Sequence, residues 1–102
     1  MGLFSIFGGN SIKGALKKGA VIIDLRTPHE FDQGKVPGSI NIPFDRIAAN
    51  AERIRNMKKP VVFCSSFASQ SGNAARIMKS KGVKEVYNGG SWEQVLKIYQ
   101  KL

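Results

Sequence analysis

The stretch VIIDLRTPHEFDQGKVPGSINIP, residues 21–43, contains the signals for a strand, a short helix and a second strand. The run over residues 20–24 is short and apolar up to its aspartate, which is typical of a strand covered on both faces. Thr27 before Pro28 predicts a helix start, because threonine caps free N–H groups and proline fits the first helical position. Gly34 closes this helix. A second strand is then predicted over residues 39–42, and Pro43 ends it.

Strands and helices also alternate on both sides of this stretch. Upstream, Asn10 is a candidate cap for a short helix that reaches about Lys18. Downstream, the predicted elements are, in order, an amphipathic helix over residues 44–57, a strand over 60–64, a helix over about 70–81, a strand over 85–87, a turn over 88–90 and a final helix capped by Ser91. This alternation implies right-handed crossovers. We therefore predict an α/β fold: a small parallel sheet of about four to five strands with helices on both faces.

The length and the cysteine content limit the class of protein. The chain has 102 residues, which suits one domain with a sizeable core. We predict a flexible N-terminal arm over residues 1–10 and a single domain over residues 11–102. Cys64 is the one cysteine of the sequence, so no disulfide can form within the chain. No stretch resembles a secretory signal or approaches the ~20 apolar residues of a membrane span. We expect a cytoplasmic protein without a cofactor, a metal or stable membrane insertion.

The charge is strongly positive, with a formal net charge of +9 at pH 7. The lysines and arginines are scattered, which favours a solvated positive surface. Such a field also concentrates small anions and can steer an acidic protein partner. We expect no nucleic acid partner, because no arginine-rich helix, zinc-finger spacing or aromatic RNA-binding motif accompanies the charge.

Cys64 decides whether the chain has a chemical function. It ends the predicted strand PVVFC, at the edge of a parallel sheet where ligands bind. The residues that follow are mostly small, so their N–H groups can surround the sulfur. Together with the positive end of the next helix, these groups favour a thiolate and an adjacent anion. Free cysteines are also among the most frequently buried residues. The residues alone leave open whether Cys64 is a reactive thiolate or a buried thiol.

The order of these motifs resembles the single-domain rhodaneses, a sulfurtransferase family that carries sulfur as a cysteine persulfide. The resemblance covers roughly residues 11–102 and depends on the motif of residues 21–43, on PVVFC and on VYNGGSW near the end. It implies the rhodanese-like fold and identifies Cys64 as the catalytic cysteine. Asp24, Arg26 and Glu30 fall in the first motif and are predicted to support the pocket. A charge-assisted pair of Arg26 with Glu30 would fix the bordering loop, while for stability a surface pair of little consequence is preferred.

The loop after Cys64 departs from the family pattern. Active sulfurtransferases of this family usually have four residues between the cysteine and an arginine. Here five residues separate Cys64 from Gln70, which stands in the arginine's place. The longer spacing resembles that of rhodanese-fold phosphatases and arsenate reductases, but those relatives keep the arginine. A neutral glutamine cannot replace a bidentate cation, so we expect weak thiosulfate activity.

The resemblance leads to one leading prediction and two alternatives. The leading prediction is a rhodanese-like sulfurtransferase or sulfur carrier that forms a persulfide on Cys64 and passes sulfane sulfur to a thiol acceptor. Its substrate, a small sulfur-containing anion, is predicted to bind mostly to backbone N–H groups of Ser65, Ser66, Phe67, Ala68, Ser69 and Gln70. The first alternative is a non-catalytic or redox-sensing interaction module. The second is a phosphatase or arsenate-reductase-like enzyme with a longer loop.

Overall fold

The computed structural model of the protein describes residues 9–102. The described strands are β1 Val21–Asp24, β2 Ile40–Asn41, β3 Val61–Ser65 and β4 Val86–Ser91. The described helices are α1 Gly9–Lys17, α2 Pro28–Gln33, α3 Ala51–Met57, α4 Ala68–Ser80 and α5 Trp92–Gln100. The sheet has the order β2-β1-β3-β4 and every pairing is parallel. The predicted α/β class is confirmed, and the parallel sheet, predicted with about four to five strands, has four strands within residues 9–102. The predicted arm, residues 1–10, lies outside the described residues except for the first two residues of α1.

The two central strands bring the first motif next to Cys64. In the register of β1 with β3, Ile23 lies opposite Phe63 and Asp24 lies opposite Cys64. Every residue of β3 is buried, as expected of a parallel strand that is covered on both faces. One face packs Ile23 and Phe63 into the larger hydrophobic cluster, and the other packs Cys64 into a smaller one. Cys64 therefore lies on a central strand of the sheet.

The helix that follows β1 forms as its local sequence predicts. The Thr27 hydroxyl accepts a hydrogen bond from the Glu30 N–H at 3.2 Å, and the Glu30 carboxylate accepts one from the Thr27 N–H at 3.0 Å. Pro28 occupies the first helical position and Gly34 is the C-cap. This reciprocal capping box satisfies two N–H groups that would otherwise lack partners. It fixes the direction in which the chain leaves β1.

Two predicted helices differ in their boundaries. The helix predicted over residues 44–57 is α only from Ala51, and the turns Phe44–Arg46 and Ala48–Asn50 before it are 3₁₀. A physical reason is the Asn50 side chain, which donates to the Arg46 carbonyl oxygen at 2.9 Å and so competes with the α-helical N–H bond. At the first helix, Asn10 lies inside α1 rather than before it, because α1 begins at Gly9.

The last strand is longer than its sequence predicts. β4 continues to Ser91, so the turn predicted over residues 88–90 is wrong. A Cβ atom at Gly89 would lie 2.7 Å from Val95 Cγ2 and 2.8 Å from the Phe63 carbonyl oxygen. The glycine is therefore required by the close approach of β3 and α5, and not by a turn. Ser91 does cap α5, in a second capping box with Gln94. Over residues 9–102, no helix has the combination of length and apolar character needed to cross a membrane.

Candidate functional site

Cys64 lies one residue before the end of β3, at the carboxyl edge of the sheet. Its side chain is 0% exposed and packs with Ile22, Val62 and Val95. Burial raises the pKa of the Cys64 thiol, and the Asp24 carboxylate raises it further. The Arg26 guanidinium acts in the opposite direction but does not reverse the shift. In this structure the sulfur is therefore a buried neutral thiol, because burial disfavours the thiolate.

A buried ion pair lies beside the cysteine, on the loop that follows β1. Arg26 donates from Nε and Nη2 to the Asp24 carboxylate at 2.9 and 2.7 Å, and the two residues are 7% and 0% exposed. Nη2 also donates to the Gly34 carbonyl oxygen at 2.6 Å, and Nη1 donates to the Glu30 carbonyl oxygen at 3.2 Å. The Trp92 ring covers the guanidinium at 4.4 Å. These contacts bind the loop after β1 to α2 and α5.

The charge-assisted pair predicted between Arg26 and Glu30 is wrong. Arg26 reaches only the backbone carbonyl of Glu30, and its carboxylate partner is Asp24. The Glu30 carboxylate instead accepts hydrogen bonds from the backbone N–H and the hydroxyl of Thr27, which lower the pKa of Glu30. The guanidinium selects Asp24 because that carboxylate is buried next to it and offers both oxygens.

The loop after Cys64 contains only two residues, Ser66 and Phe67, between β3 and α4. Ser65 belongs to β3, and α4 begins two residues earlier than predicted. Within residues 9–102, no acceptor binds the N–H groups of four consecutive residues, Ser66, Phe67, Ala68 and Ser69. The Gln70 N–H, by contrast, donates to the Phe67 carbonyl oxygen at 3.2 Å. Four of the six predicted N–H donors therefore have no acceptor in the part of the chain that the structure describes.

Gln70 occupies the first turn of α4, where its side chain bends back to β3. The Ser65 hydroxyl donates a hydrogen bond to the Gln70 carboxamide oxygen. This contact leaves the carboxamide NH₂ as a neutral donor beside the loop. Residues 64–70 contain no lysine or arginine, and the nearby Arg26 already binds Asp24. The loop thus offers dipoles to an anion but no cation of its own.

Ser71 and Asn88 hold this loop in place, and the sequence analysis did not identify them as site residues. The buried Ser71 hydroxyl lies 2.6 Å from Asn88 Oδ1, and Asn88 Nδ2 donates to the Ala68 carbonyl oxygen at 3.0 Å. Asn88 Oδ1 also accepts from the Gly90 N–H at 2.9 Å. The available signal was helical spacing, since Ser71 shares a face with the buried residues Ala74, Ala75 and Met78. A polar residue on a buried face requires a partner.

Within residues 9–102, no group of three or more His, Cys, Asp or Glu side chains is placed to bind a metal ion.

A comparison with known protein families identifies the family of this chain. Residues 10–97 match the model of the rhodanese-like domain family. The chain belongs to the rhodanese-like family. The candidate site of this rhodanese-like domain therefore combines a buried cysteine at the carboxyl edge of the sheet with a loop that contains no lysine or arginine.

Relatives and solved structures agree with this assignment. The protein YqhL of Bacillus subtilis, which is uncharacterized, is 35% identical over 69 residues, covering 68% of this chain and 54% of YqhL. The thiosulfate sulfurtransferase PspE of Escherichia coli is 34% identical over 77 residues, covering 72% of this chain and 71% of PspE. A structure of a rhodanese with anions from E. coli superposes with a TM-score of 0.68 at 28% identity, covering 74% of this chain and 91% of that one. This rhodanese-like domain thus has sulfurtransferase homologues at modest identity, and it spans about half of YqhL.

Proposed function

We propose that this rhodanese-like domain is a sulfur carrier in which Cys64 takes up sulfane sulfur as a persulfide and passes it to a thiol acceptor. The proposal depends on one observation: the N–H groups of residues 66–69, which begin two residues after Cys64, have no acceptor within residues 9–102. Backbone donors at a helix start attract anions, so they suit a persulfide or a small sulfur-containing anion. The sulfurtransferase relatives support the same chemistry.

The reaction with thiosulfate is a displacement at sulfur. The Cys64 thiol first loses its proton to solvent, and the thiolate attacks the outer sulfur of thiosulfate. A new S–S bond forms at Cys64, while the S–S bond of thiosulfate breaks and sulfite leaves with the electron pair. An acceptor thiolate then attacks the outer persulfide sulfur, which restores the Cys64 thiolate. The N–H groups of residues 66–69 stabilise the negative charge in both steps.

Two features make thiosulfate a poor donor. The thiol is buried and its pKa is raised, so few molecules carry a thiolate at neutral pH. The loop also lacks the cation that would neutralise a dianion. By analogy with a lost oxyanion donor, this absence costs about 3 kcal/mol, or roughly a hundredfold in rate. A polysulfide donor carries less charge per transferred sulfur and is expected to react faster.

Intact mass spectrometry tests the proposal. The reduced protein is incubated with thiosulfate or with polysulfide, beside the Cys64→Ala variant as control. We expect a gain of one sulfur atom, about 32 Da, that needs Cys64, is removed by cyanide and is larger with polysulfide. A wild-type mass unchanged by either donor contradicts the proposal.

Restoring the missing cation gives a second test. In Gln70→Arg, a guanidinium occupies the place of the carboxamide, and we expect thiosulfate uptake to rise at least about tenfold. Gln100→Arg, at the exposed end of α5, adds the same charge far from the loop and serves as the matched control. A gain in phosphate-ester hydrolysis instead would favour a phosphatase.

A specific observation favours a second candidate, a non-catalytic interaction module. The Cys64 side chain is 0% exposed and its pKa is raised, which describes a core thiol as well as a resting nucleophile. A module needs no sulfur uptake, so the mass experiment separates the two candidates. A reducing compartment such as the cytoplasm belongs to the carrier proposal, because Cys64 must remain free.

A further inference from the structure

A groove of about 620 Å³ lies at the edge of the sheet opposite Cys64. Its walls are the segment that leads from α3 into β3 and the segment that leads from α4 into β4. We call it the basic groove, after its cationic residues Arg55, Lys58, Lys59 and Lys84. Pro60 stands where β3 begins, so the groove and Cys64 are separated by roughly 13 Å of strand. The groove is therefore distinct from the site described above.

The charges of the basic groove are mostly unbalanced. Lys58, Lys59 and Lys84 are exposed, and none of them makes an ion pair within residues 9–102. The one acidic lining residue, Glu85, accepts hydrogen bonds from Lys18 Nζ at 2.9 Å and from the Tyr87 hydroxyl at 2.5 Å. These bonds lower the pKa of Glu85 and direct its carboxylate to partners outside the groove. A ligand in the groove therefore meets a net positive surface.

Lys58 stands in an unusual backbone conformation for its residue type. It is the C-cap of α3 with φ 54° and ψ 41°, and among residues 9–102 no other non-glycine residue has a positive φ. Glycine or asparagine would adopt this left-handed conformation with less strain. The chain thus keeps a cation at the mouth of the groove where the backbone favours a different residue, which is a feature of sites under functional constraint.

The lining favours a protein segment over a nucleic acid. Pro60 is half-buried in the lining and offers apolar surface to the aliphatic parts of a peptide, whereas the lining residues Ile54 and Val83 are buried. Its described lining contains no aromatic side chain on which a base could stack, whereas single-stranded nucleic acid sites commonly use such rings. We propose that the basic groove docks a protein segment rich in aspartate and glutamate. Because the groove lies far from Cys64, docking would hold a partner without covering the loop after β3, and the proposal stands independently of sulfur transfer.

Fluorescence anisotropy with a labelled deca-glutamate peptide tests the proposal on the full chain. The groove variant combines Lys58→Glu, Lys59→Glu and Lys84→Glu. The matched control combines Lys13→Glu, Lys97→Glu and Lys101→Glu, which changes the net charge equally at exposed positions away from the groove. We expect the groove variant to weaken binding at least about tenfold and the control less than about threefold, since only local charges act at short range.

Three further measurements make the result decisive. Circular dichroism confirms that both triple variants are folded before binding is compared. Amide NMR shifts in the wild type should change around Lys58, Lys59 and Lys84 when the peptide is added. Equal weakening in both variants, or no binding by the wild type, overturns the proposal. Tighter binding of a ten-nucleotide oligothymidylate than of the peptide overturns it in favour of a nucleic acid ligand.

Discussion

The two loops at the carboxyl edge of the sheet differ in how completely their polar groups are paired. After β1, the Arg26 guanidinium binds the Asp24 carboxylate and two carbonyl oxygens beneath the Trp92 ring. After β3, four N–H groups have no acceptor within residues 9–102, and Phe67 is 72% exposed. The first loop is held rigidly, since its charges are paired with groups of the same domain. The second leaves four donors without an acceptor, an arrangement that is expected where a rigid scaffold positions a binding loop.

The largest effect on stability is expected from breaking the ion pair in the loop after β1. Asp24→Ala removes the carboxylate and leaves the buried Arg26 charge uncompensated, so the free energy of unfolding should fall by about 3–5 kcal/mol. Denaturant titration measures this loss. The control is Lys18→Ala, which breaks the exposed pair of Lys18 with Glu85 and should cost less than about 1 kcal/mol. Similar small losses in both variants would mean that the ion pair does not hold the loop after β1 in place.

A smaller loss of stability is expected at Asn88, which anchors the loop after β3. Asn88→Ala removes an acceptor of the Ser71 hydroxyl and the acceptor of the Gly90 N–H. The Ser71 hydroxyl keeps the Ala68 and Gly90 carbonyl oxygens as acceptors, but the buried Gly90 N–H is left unpaired, which should lower the free energy of unfolding by about 1–3 kcal/mol. Because the same contacts hold the first turn of α4, sulfur uptake at Cys64 should slow as well. Asn73→Ala, at an exposed position of the same helix, serves as control; a loss as large in that variant would contradict the anchoring role.

The pH dependence of stability tests whether burial keeps the Cys64 sulfur neutral in the folded protein. Burial raises the pKa of Cys64 in the folded state, whereas the unfolded thiol titrates near the ordinary value of 9.0. Above that pH the unfolded state binds fewer protons, so the free energy of unfolding should fall by about 1.4 kcal/mol between pH 8 and pH 10. Cys64→Ala should lack this loss. Tyr87, whose pKa is raised to about 12, adds a loss of the same sign at higher pH in both proteins.

Identical pH profiles for the wild type and Cys64→Ala would contradict this account. The thiol would then be as accessible in the folded protein as in the unfolded chain, and the loop after β3 would be open enough to admit solvent to the sulfur.

The smallest change in stability is expected at Phe67, in the loop after β3. Phe67→Ala removes a ring that is mostly exposed, so the free energy of unfolding should change by no more than about 0.5 kcal/mol. Phe63→Ala, four residues earlier in the buried strand, should cost about 3–5 kcal/mol and is the control. A loss above about 1.5 kcal/mol at Phe67 would mean that the ring packs on the domain and that the loop is not free.

Local signals in the sequence predicted most of the fold. The apolar runs of β1 and β3, the Thr27 cap and the Ser91 cap each act within a few residues, so spacing was enough to find them. The end of β4 was missed because Gly89 and Gly90 indicate a turn locally, while the contacts of Gly89 with β3 and α5 require an extended strand. Tertiary packing overrides local preference at such positions.

The candidate site was predicted less completely. The position of Cys64 at the edge of the sheet followed from strand order. The partner of Arg26 did not, because the choice between two nearby carboxylates depends on which one is buried. The protonation state of the thiol also depends on side chains from several elements. The roles of Ser71 and Asn88 required knowledge of how α4 packs on β4.

The register of the sheet also constrains how the chain folds during synthesis. β1 is hydrogen-bonded to β3 from Val21 opposite Val61, so its main partner emerges from the ribosome only after β2 and α3 have been made. A nascent chain that ends at α3 can pair β1 only with the two residues of β2. The sheet therefore forms late, through contacts distant in sequence, and such pairings slow folding and leave apolar strands exposed meanwhile. Nascent chains stopped before β3 should for this reason depend on chaperones more than completed ones.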